Sequence, residues 1–187
     1  MARILLHVCC APCATHPVEL LAAKGEVIGY FANPNIQPKE EYEKRLDEAQ
    51  RFFDWIGIPL EVEIYDPESW DRAVAGFEKE PEGGRRCEIC FRHRLTSAAK
   101  KAKNIDCEYF TTTLTVSRYK NSKVIHRVGE EVSKQMGVIF RKDDFKKRGG
   151  YDRSIELSKK WGLYRQDYCG CIYSKEERFK KSALKGN

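Results

Sequence analysis

Arg3-Ile4-Leu5-Leu6-His7-Val8-Cys9-Cys10-Ala11-Pro12-Cys13 is the stretch that decides how this chain is read. Its first six residues are a short, almost unbroken apolar run, the pattern of a strand buried on both faces of a parallel sheet. Working outward, Thr15–Lys24 reads as a short helix closed by Gly25, and Glu26–Phe31 as a second strand. Asn33-Pro34-Asn35 is turn chemistry. Pro38–Ile56 reads as a long amphipathic helix, with Tyr42, Leu46, Ala49, Phe53 and Ile56 at spacings of four and three. Further strands are expected at Leu60–Tyr65, Asp106–Thr113 and Val138–Phe140. Further helices are expected at Ser69–Phe77, Cys90–Lys103, Asn121–Met136, Tyr151–Lys160 and Ser174–Lys181. Strands alternating with helices predict an α/β fold, a Rossmann-like parallel sheet flanked by helices and joined by right-handed crossovers. In such sheets sites gather beyond the carboxyl ends of the strands, which is where the first cysteines fall.

Eight cysteines are present, and seven fall into three groups: Cys9, Cys10 and Cys13; Cys87 and Cys90; Cys169 and Cys171. Cys107 stands alone in an alternating run and reads as a small buried hydrophobe. So many thiols in a reducing compartment point to metal or redox chemistry rather than structural disulfides. Two C-x-x-C pairs offer four thiolates, which suit tetrahedral zinc or an iron–sulfur cluster, and spacing alone does not separate the two. Three more cysteines exceed what one closed structural zinc uses, so a second metal or an open reactive position is indicated. On spacing, Cys10, Cys13, Cys87 and Cys90 form one set, and Cys9, Cys169 and Cys171, with Asp167, another; a competing division puts Cys9 or Cys171 with the first set, and a third keeps Cys169 and Cys171 as a redox-active dithiol. Adjacent cysteines on extended backbone point apart, which favours splitting Cys9 from Cys10.

Lysine and arginine total 34 against 28 acidic residues, a net charge of +6, compatible with a polyanionic partner. The chain contains neither G-x-G-x-x-G nor G-x-x-x-x-G-K-[ST], so a nucleotide cofactor is not indicated. No apolar run is long enough to span a bilayer, and Met1–Val8 is too short for a secretory signal. The expectation is therefore a cytoplasmic chain with no membrane partner. One metal-binding domain is expected over 1–187, with an insertion at 67–104 carrying the second cysteine pair and a basic helical tail at 143–187.

Taken together, several stretches resemble the cobalamin-independent epoxyqueuosine reductase family (QueH type). They are Leu5-Leu6-His7-Val8-Cys9-Cys10-Ala11-Pro12-Cys13, Phe31-Ala32-Asn33-Pro34-Asn35-Ile36-Gln37-Pro38 with Glu41-Tyr42 and Arg45, and Arg86-Cys87-Glu88-Ile89-Cys90 with Arg94-Leu95. Thr111-Thr112-Thr113-Leu114, Ser117 with Lys120-Asn121, Asp144-Phe145-Lys146-Lys147 and Tyr164-Arg165-Gln166-Asp167-Tyr168-Cys169-Gly170-Cys171 follow in the same order. The resemblance implies a nucleotide-binding α-hydrolase or PP-loop-like sheet and a [4Fe-4S] cluster with an additional mononuclear iron. It implies as partner a tRNA with a GUN anticodon carrying epoxyqueuosine at the wobble position, and an electron donor that the sequence does not identify. The reaction implied is a two-electron, two-proton removal of the epoxide oxygen, leaving the alkene of queuosine and water.

Candidates for the proton are Tyr168, Asp167 and Tyr164, with His7 read as a hydrogen-bonded core histidine or a fourth donor. Asn33, Asn35 and Gln37 are candidates for reading the base or its ring hydroxyls, or else turn caps. Lys120, Lys146, Lys147, Arg165 and Gln166 are candidates for RNA contact, Lys146-Lys147-Arg148 because Gly149-Gly150 beside them lets a backbone approach phosphate. Arg85-Arg86, Arg92, Arg94, Lys100-Lys101-Lys103 and Lys142 are further candidates for RNA contact or else solvated helix faces, and Lys180-Lys181 reads as a solvated face. Three rival classes stay open: a zinc-stabilised RNA-binding module without catalysis, a thiol–disulfide oxidoreductase using Cys169 and Cys171, and a PP-loop-like tRNA thiolation enzyme, which the missing ATP-binding loop disfavours.

Overall fold

In the computed structural model, which describes residues 2–183 and not the side chains of 181 and 182, five parallel strands form one sheet. They are β1 (Arg3–His7), β2 (Glu26–Phe31), β3 (Leu60–Val62), β4 (Tyr109–Thr112) and β5 (Ile139–Phe140), in the order β3-β2-β1-β4-β5. β1 pairs with both β2 and β4, as its apolar run requires of a central strand. Its side chains alternate between two cores. Ile4, Leu6 and Val8 pack under α1 (Ala11–Ala22) and α2 (Lys39–Trp55), with α6 (Gly150–Lys160) laid against α1, while Leu5 packs under α4 (Arg85–Asn104) and α5 (Ser122–Met136). α3 (Pro67–Val74) and α7 (Ile172–Ala183) cover a third, smaller cluster around Trp70, Cys90 and Cys171.

Two helix starts lie a turn or more ahead of those expected. The first helix begins at Ala11, not Thr15, because Cys10 serves as its N-cap and Pro12 lies in its first turn, where the missing N–H is not needed. The basic helix begins at Arg85, so Cys87 and Cys90 sit on its first turns, one above the other. Residues 85–104 are therefore not the end of an insertion. They are the crossover helix that covers the sheet, burying Phe91, Leu95, Ala98, Ala99 and Ala102. The tail is likewise part of the body, since α6 packs on α1. Met1 and residues 184–187, the ends of the expected single domain, lie outside the described residues, as does the Lys181 side chain. Among the described residues no helix is long and apolar enough to cross a membrane.

The strand order reverses between β1 and β4. His7 stands opposite Thr112 in their register, so the chain leaves both strands side by side into Cys9 and Thr113. That crevice is where open α/β sheets place their sites. His7 itself is fully buried, its ring nitrogens 2.9 Å from Thr112 Oγ1 and 3.2 Å from the Ala32 carbonyl. It is the hydrogen-bonded core histidine, not a proton donor to a substrate. Burial, helped by the Arg94 charge, lowers its pKa from 6.5 to about 3. The folded ring thus stays neutral while the unfolded ring takes a proton below pH 6.5. Stability is expected to fall as the pH drops from 6.5 towards 3, by about 2 kcal/mol at pH 5. Urea titrations at pH 7 and pH 5 should show this increment in the native chain and not in His7→Gln.

Candidate metal centre

Cys10 lies on extended backbone (φ −171°, ψ 159°) immediately before α1, and Cys13 follows one turn later. The turn from strand into helix swings the sulfurs together. Those of Cys9, Cys10 and Cys13 all lie within 4.8 Å of one another, and Cys9 and Cys10 are 3.8 Å apart. Adjacent Cys9 and Cys10 therefore do not point apart, because both lie beyond the end of β1 and the chain bends at Cys9. Thr113 Oγ1 accepts the Cys9 N–H at 3.0 Å and donates to the Cys9 sulfur at 3.2 Å. Gln166 Nε2 donates to the Cys10 sulfur at 2.9 Å. Hydrogen bonds from Cys10 and Cys13, with Arg94 and Thr113, outweigh burial and hold the Cys9 thiol well below its ordinary pKa. At Cys10 the Cys13 hydrogen bond pulls down, but the Cys9 hydrogen bond and burial push the thiol up to about 12. Cys13 is driven well up by its bonds to Cys10 and Cys9 and by burial. Of the three thiols Cys9 is the one held most acidic, and together they form a set of donors from which a cation can displace the protons.

The other four cysteines come together on different elements. Cys87 and Cys90 share one face of α4, and the loop Tyr168–Cys171 brings in Cys169 and Cys171. All four line a pocket of about 30 Å³ with Asn35, Trp70, Tyr119 and Lys120. This is not the division that spacing suggested: Cys9 joins Cys10 and Cys13, while Cys169 and Cys171 join the pair on α4. Burial pushes Cys87 up to about 12 and raises Cys90 and Cys171. The Gly83 N–H donates to the Cys87 sulfur at 3.2 Å and the Ser174 N–H to the Cys171 sulfur at 3.4 Å. Trp70 Nε1 and Asn35 Oδ1 are buried in the wall without a hydrogen-bond partner. Sulfur-directed N–H groups, orphaned polar atoms and thiols that burial keeps neutral fit a cation that would take the charge.

The loop is held by Arg45, which is 2% exposed on α2. It pairs with Glu41 at 2.7 Å and donates to the carbonyls of Cys169 at 3.0 Å and Tyr168 at 3.2 Å. Gly170 adopts φ +139°, and a Cβ there would meet Asn35, Ile36 and Arg45 at 3.1–3.2 Å. Only glycine lets the two flanking sulfurs fold back in this turn.

A cleft of about 570 Å³ opens beside both groups, bordered by Cys9, Cys13 and Cys169 and by Arg94, Tyr119, Lys120, Arg165, Gln166, Asp167 and Tyr168. Cys169 and Lys120 line cleft and pocket alike. Burial opposes the Lys120 charge, but the neighbouring sulfurs of Cys169, Cys9 and Cys13 outweigh it and hold the ammonium above its usual range.

The remaining candidates separate. Asp167 lines the cleft, as does Tyr168, whose hydroxyl donates to the Gln37 carbonyl at 2.8 Å and whose pKa burial raises to about 12. Tyr164 is not on the cleft wall; its hydroxyl donates to Glu41 at 3.2 Å, and Lys44 stands over its ring. Asn33 is buried between Val8, whose carbonyl it caps at 2.9 Å, and Arg94, so it ties strand ends to α4 rather than facing a ligand. Gln37 donates to Asp71 at 3.2 Å. Arg165 donates to Ser158 at 2.7 Å while bordering the cleft. Lys146 is not a free phosphate contact: its Nζ donates to the Lys120 carbonyl at 2.7 Å and so pins the 117–120 loop. Lys147 is exposed, 3.7 Å from Asp144. Gly150 serves helix packing instead of a phosphate, since a Cβ there would lie 1.9 Å from the Phe145 carbonyl oxygen and 2.8 Å from His16. Thr113 belongs to a stretch quoted for the resemblance but carries no role there, and Trp70 and Tyr119 do not enter the sequence reading. Thr113 sits among other threonines and Trp70 on an ordinary apolar helix stripe, so neither carries a signal of its role.

The model of the family Epoxyqueuosine reductase QueH matches residues 4–177. Epoxyqueuosine reductase QueH of Streptococcus pyogenes serotype M1 is 43% identical over 178 residues, 91% of this chain and 69% of that relative. Epoxyqueuosine reductase QueH of Thermotoga maritima is 37% identical over 189 residues, 98% of this chain and 95% of that one. The fold is similar to that of the U34-tRNA thiolase NcsA from Methanococcus maripaludis with its [4Fe-4S] cluster, at a TM-score of 0.58 and 13% identity, covering 100% of this chain and 67% of the thiolase. That likeness is one of fold. The family-model match over residues 4–177 and the identity to these relatives over most of their length and of this one place this chain in the epoxyqueuosine reductase QueH family.

Proposed function

We propose that the two cysteine groups hold redox-active iron on either side of Lys120, and that the cleft between them receives the epoxide of epoxyqueuosine in tRNA for reduction to queuosine. Reduction of epoxyqueuosine is the activity of the family. The observation that carries the placement is the gathering of seven cysteines from three distant segments into two groups beside one cleft at the β1/β4 switch point, with Cys9, Cys13 and Cys169 on the cleft wall.

The donor sets suit different metals. Tetrahedral binding of one ion at a metal–sulfur distance of about 2.3 Å puts sulfurs about 3.8 Å apart. The Cys9–Cys10 separation of 3.8 Å matches this. Cys9, Cys10 and Cys13 are therefore assigned the mononuclear iron, with a fourth position open on the cleft. Cys87, Cys90, Cys169 and Cys171 offer the four thiolates that a [4Fe-4S] cluster takes. When bound, these metals supply electrons and Lewis acidity that no side chain provides.

The chain's own groups do the rest. The overall change is one epoxide, two electrons and two protons giving one alkene and one water, with the electrons from an external donor. Asp167 borders the cleft and supplies a proton to the departing oxygen; the Lys120 ammonium offsets the thiolate charge beside it. Tyr168 positions the cysteine loop through Gln37 rather than giving up its proton. Tyr119, 78% exposed at the rim of both cavities, is placed to stack on a base turned out of the anticodon loop, a single strand that opens readily. A reducing cytoplasm containing tRNA is the compartment this reading requires. Protein purified without oxygen, reduced with dithionite and incubated with epoxyqueuosine-containing tRNA should yield queuosine on nucleoside digestion. Active protein that contains zinc and no iron would overturn the iron assignment.

A further inference from the structure

We propose that Thr113 and Gln166 are positioning residues that set the electron affinity of the metal held by Cys9, Cys10 and Cys13, by donating hydrogen bonds to the Cys9 and Cys10 sulfurs. The inference rests on the reading that this triad holds a redox metal, and goes beyond it by naming what tunes that metal.

Thr113 is fully buried and has a single hydroxyl proton. Its oxygen accepts the Cys9 N–H at 3.0 Å, so the proton is left for the Cys9 sulfur at 3.2 Å. The neighbouring threonines spend their hydroxyls otherwise. Thr111 bonds the Arg141 carbonyl, Thr112 the His7 ring and Thr115 the Asp143 carbonyl. No water reaches Thr113 to replace its bond if the hydroxyl is removed. Gln166 arrives from a segment 156 residues beyond Cys10 and places Nε2 2.9 Å from that sulfur. With a metal bound the Cys10 sulfur is a thiolate, which accepts from the amide N–H end of Gln166 and would repel its carbonyl oxygen.

A donor aimed at a ligating sulfur withdraws electron density from it. The reduced metal carries one more negative charge than the oxidised one, so the bond favours reduction and makes the metal a better acceptor for oxygen. Losing either donor is expected to shift the oxidised-to-reduced ratio at a given potential about tenfold towards oxidised. For a one-electron couple that is a midpoint about 59 mV lower.

The test is a redox titration, followed by electron paramagnetic resonance, of the iron-loaded full chain and of Thr113→Val, Thr113→Ser and Gln166→Leu. The relevant signal is the one that disappears in Cys13→Ala. The proposal expects a lower midpoint in Thr113→Val and Gln166→Leu at undiminished iron content, with Thr113→Ser restored to near the native value. Unchanged midpoints in the loaded variants would sink it while leaving the metal reading intact. A native chain with no such signal would remove the metal reading and this inference together. Should Thr113→Val fail to fold, Gln166→Leu decides alone, since Gln166 is half-buried in a loop.

Discussion

Cys13→Ala, purified without oxygen, is expected to lose one iron per chain and keep its acid-labile sulfide, whereas Cys87→Ala loses sulfide and most of its iron. The difference follows from the grouping of the sulfurs. Cys13 shares its donors only with Cys9 and Cys10 within 4.8 Å, and removing it leaves two thiolates, too few to hold a single ion against water. Cys87 lines the pocket with Cys90, Cys169 and Cys171, and its loss opens a four-thiolate set. Both variants are expected to lose more than about 100-fold in kcat, since even partners one shell out from a metal commonly contribute 10–100-fold. Cys107→Ala is the internal control. Cys107 packs in the apolar core under α4 and α5, so its replacement leaves iron, sulfide and kcat unchanged and costs about 1 kcal/mol of stability. Equal loss of sulfide in Cys13→Ala and Cys87→Ala would show that the two groups are one site, contrary to the assignment.

Arg45→Met is expected to destabilise the protein by about 3–5 kcal/mol, the range for breaking one partner out of a buried ion pair. Arg45 is 2% exposed and its carboxylate partner Glu41 13% exposed, so neither charge is well solvated once alone. The substitution also strips the donors from the Cys169 and Tyr168 carbonyls. The same protein should therefore lose metal from the four-cysteine pocket while keeping it at the triad, which Arg45 does not touch. Arg45→Lys retains the charge without the planar fork and should fall between the two. Urea unfolding of the metal-free chains measures the first effect, and iron and sulfide analysis the second. Native stability together with full sulfide in Arg45→Met would contradict the role given to this residue.

Much of the architecture is legible from local pattern. The run from Arg3 to Val8 reads as a central strand because both its faces are apolar, and it pairs on both sides. The stripe Val124, Val128, Val132 marks α5, which buries Val128 and Val132 against β5 and α4. Edges are less legible. β3 is only Leu60–Val62, not Leu60–Tyr65, because it pairs on one side alone and Ile64 is left 90% exposed. Helix starts were misplaced at Ala11 and Arg85, since cysteine as a cap and arginine in a first turn carry little propensity signal. Glycine pairs, too, read alike whether they serve a ligand or a helix contact, and Gly150 proved to be the second.

By itself the chain's order of residues determined which side chains carry the chemistry, for thiols in close groups have few other uses, and it determined the parallel sheet, through periodicity that acts over a few residues. Which sulfurs become neighbours, and which polar groups face them, was decided only when the crossovers closed. Cys87 meets Cys171, and Gln166 meets Cys10, across separations that no local pattern spans, because those pairings depend on how α4 and the C-terminal loop pack over the ends of β1 and β4.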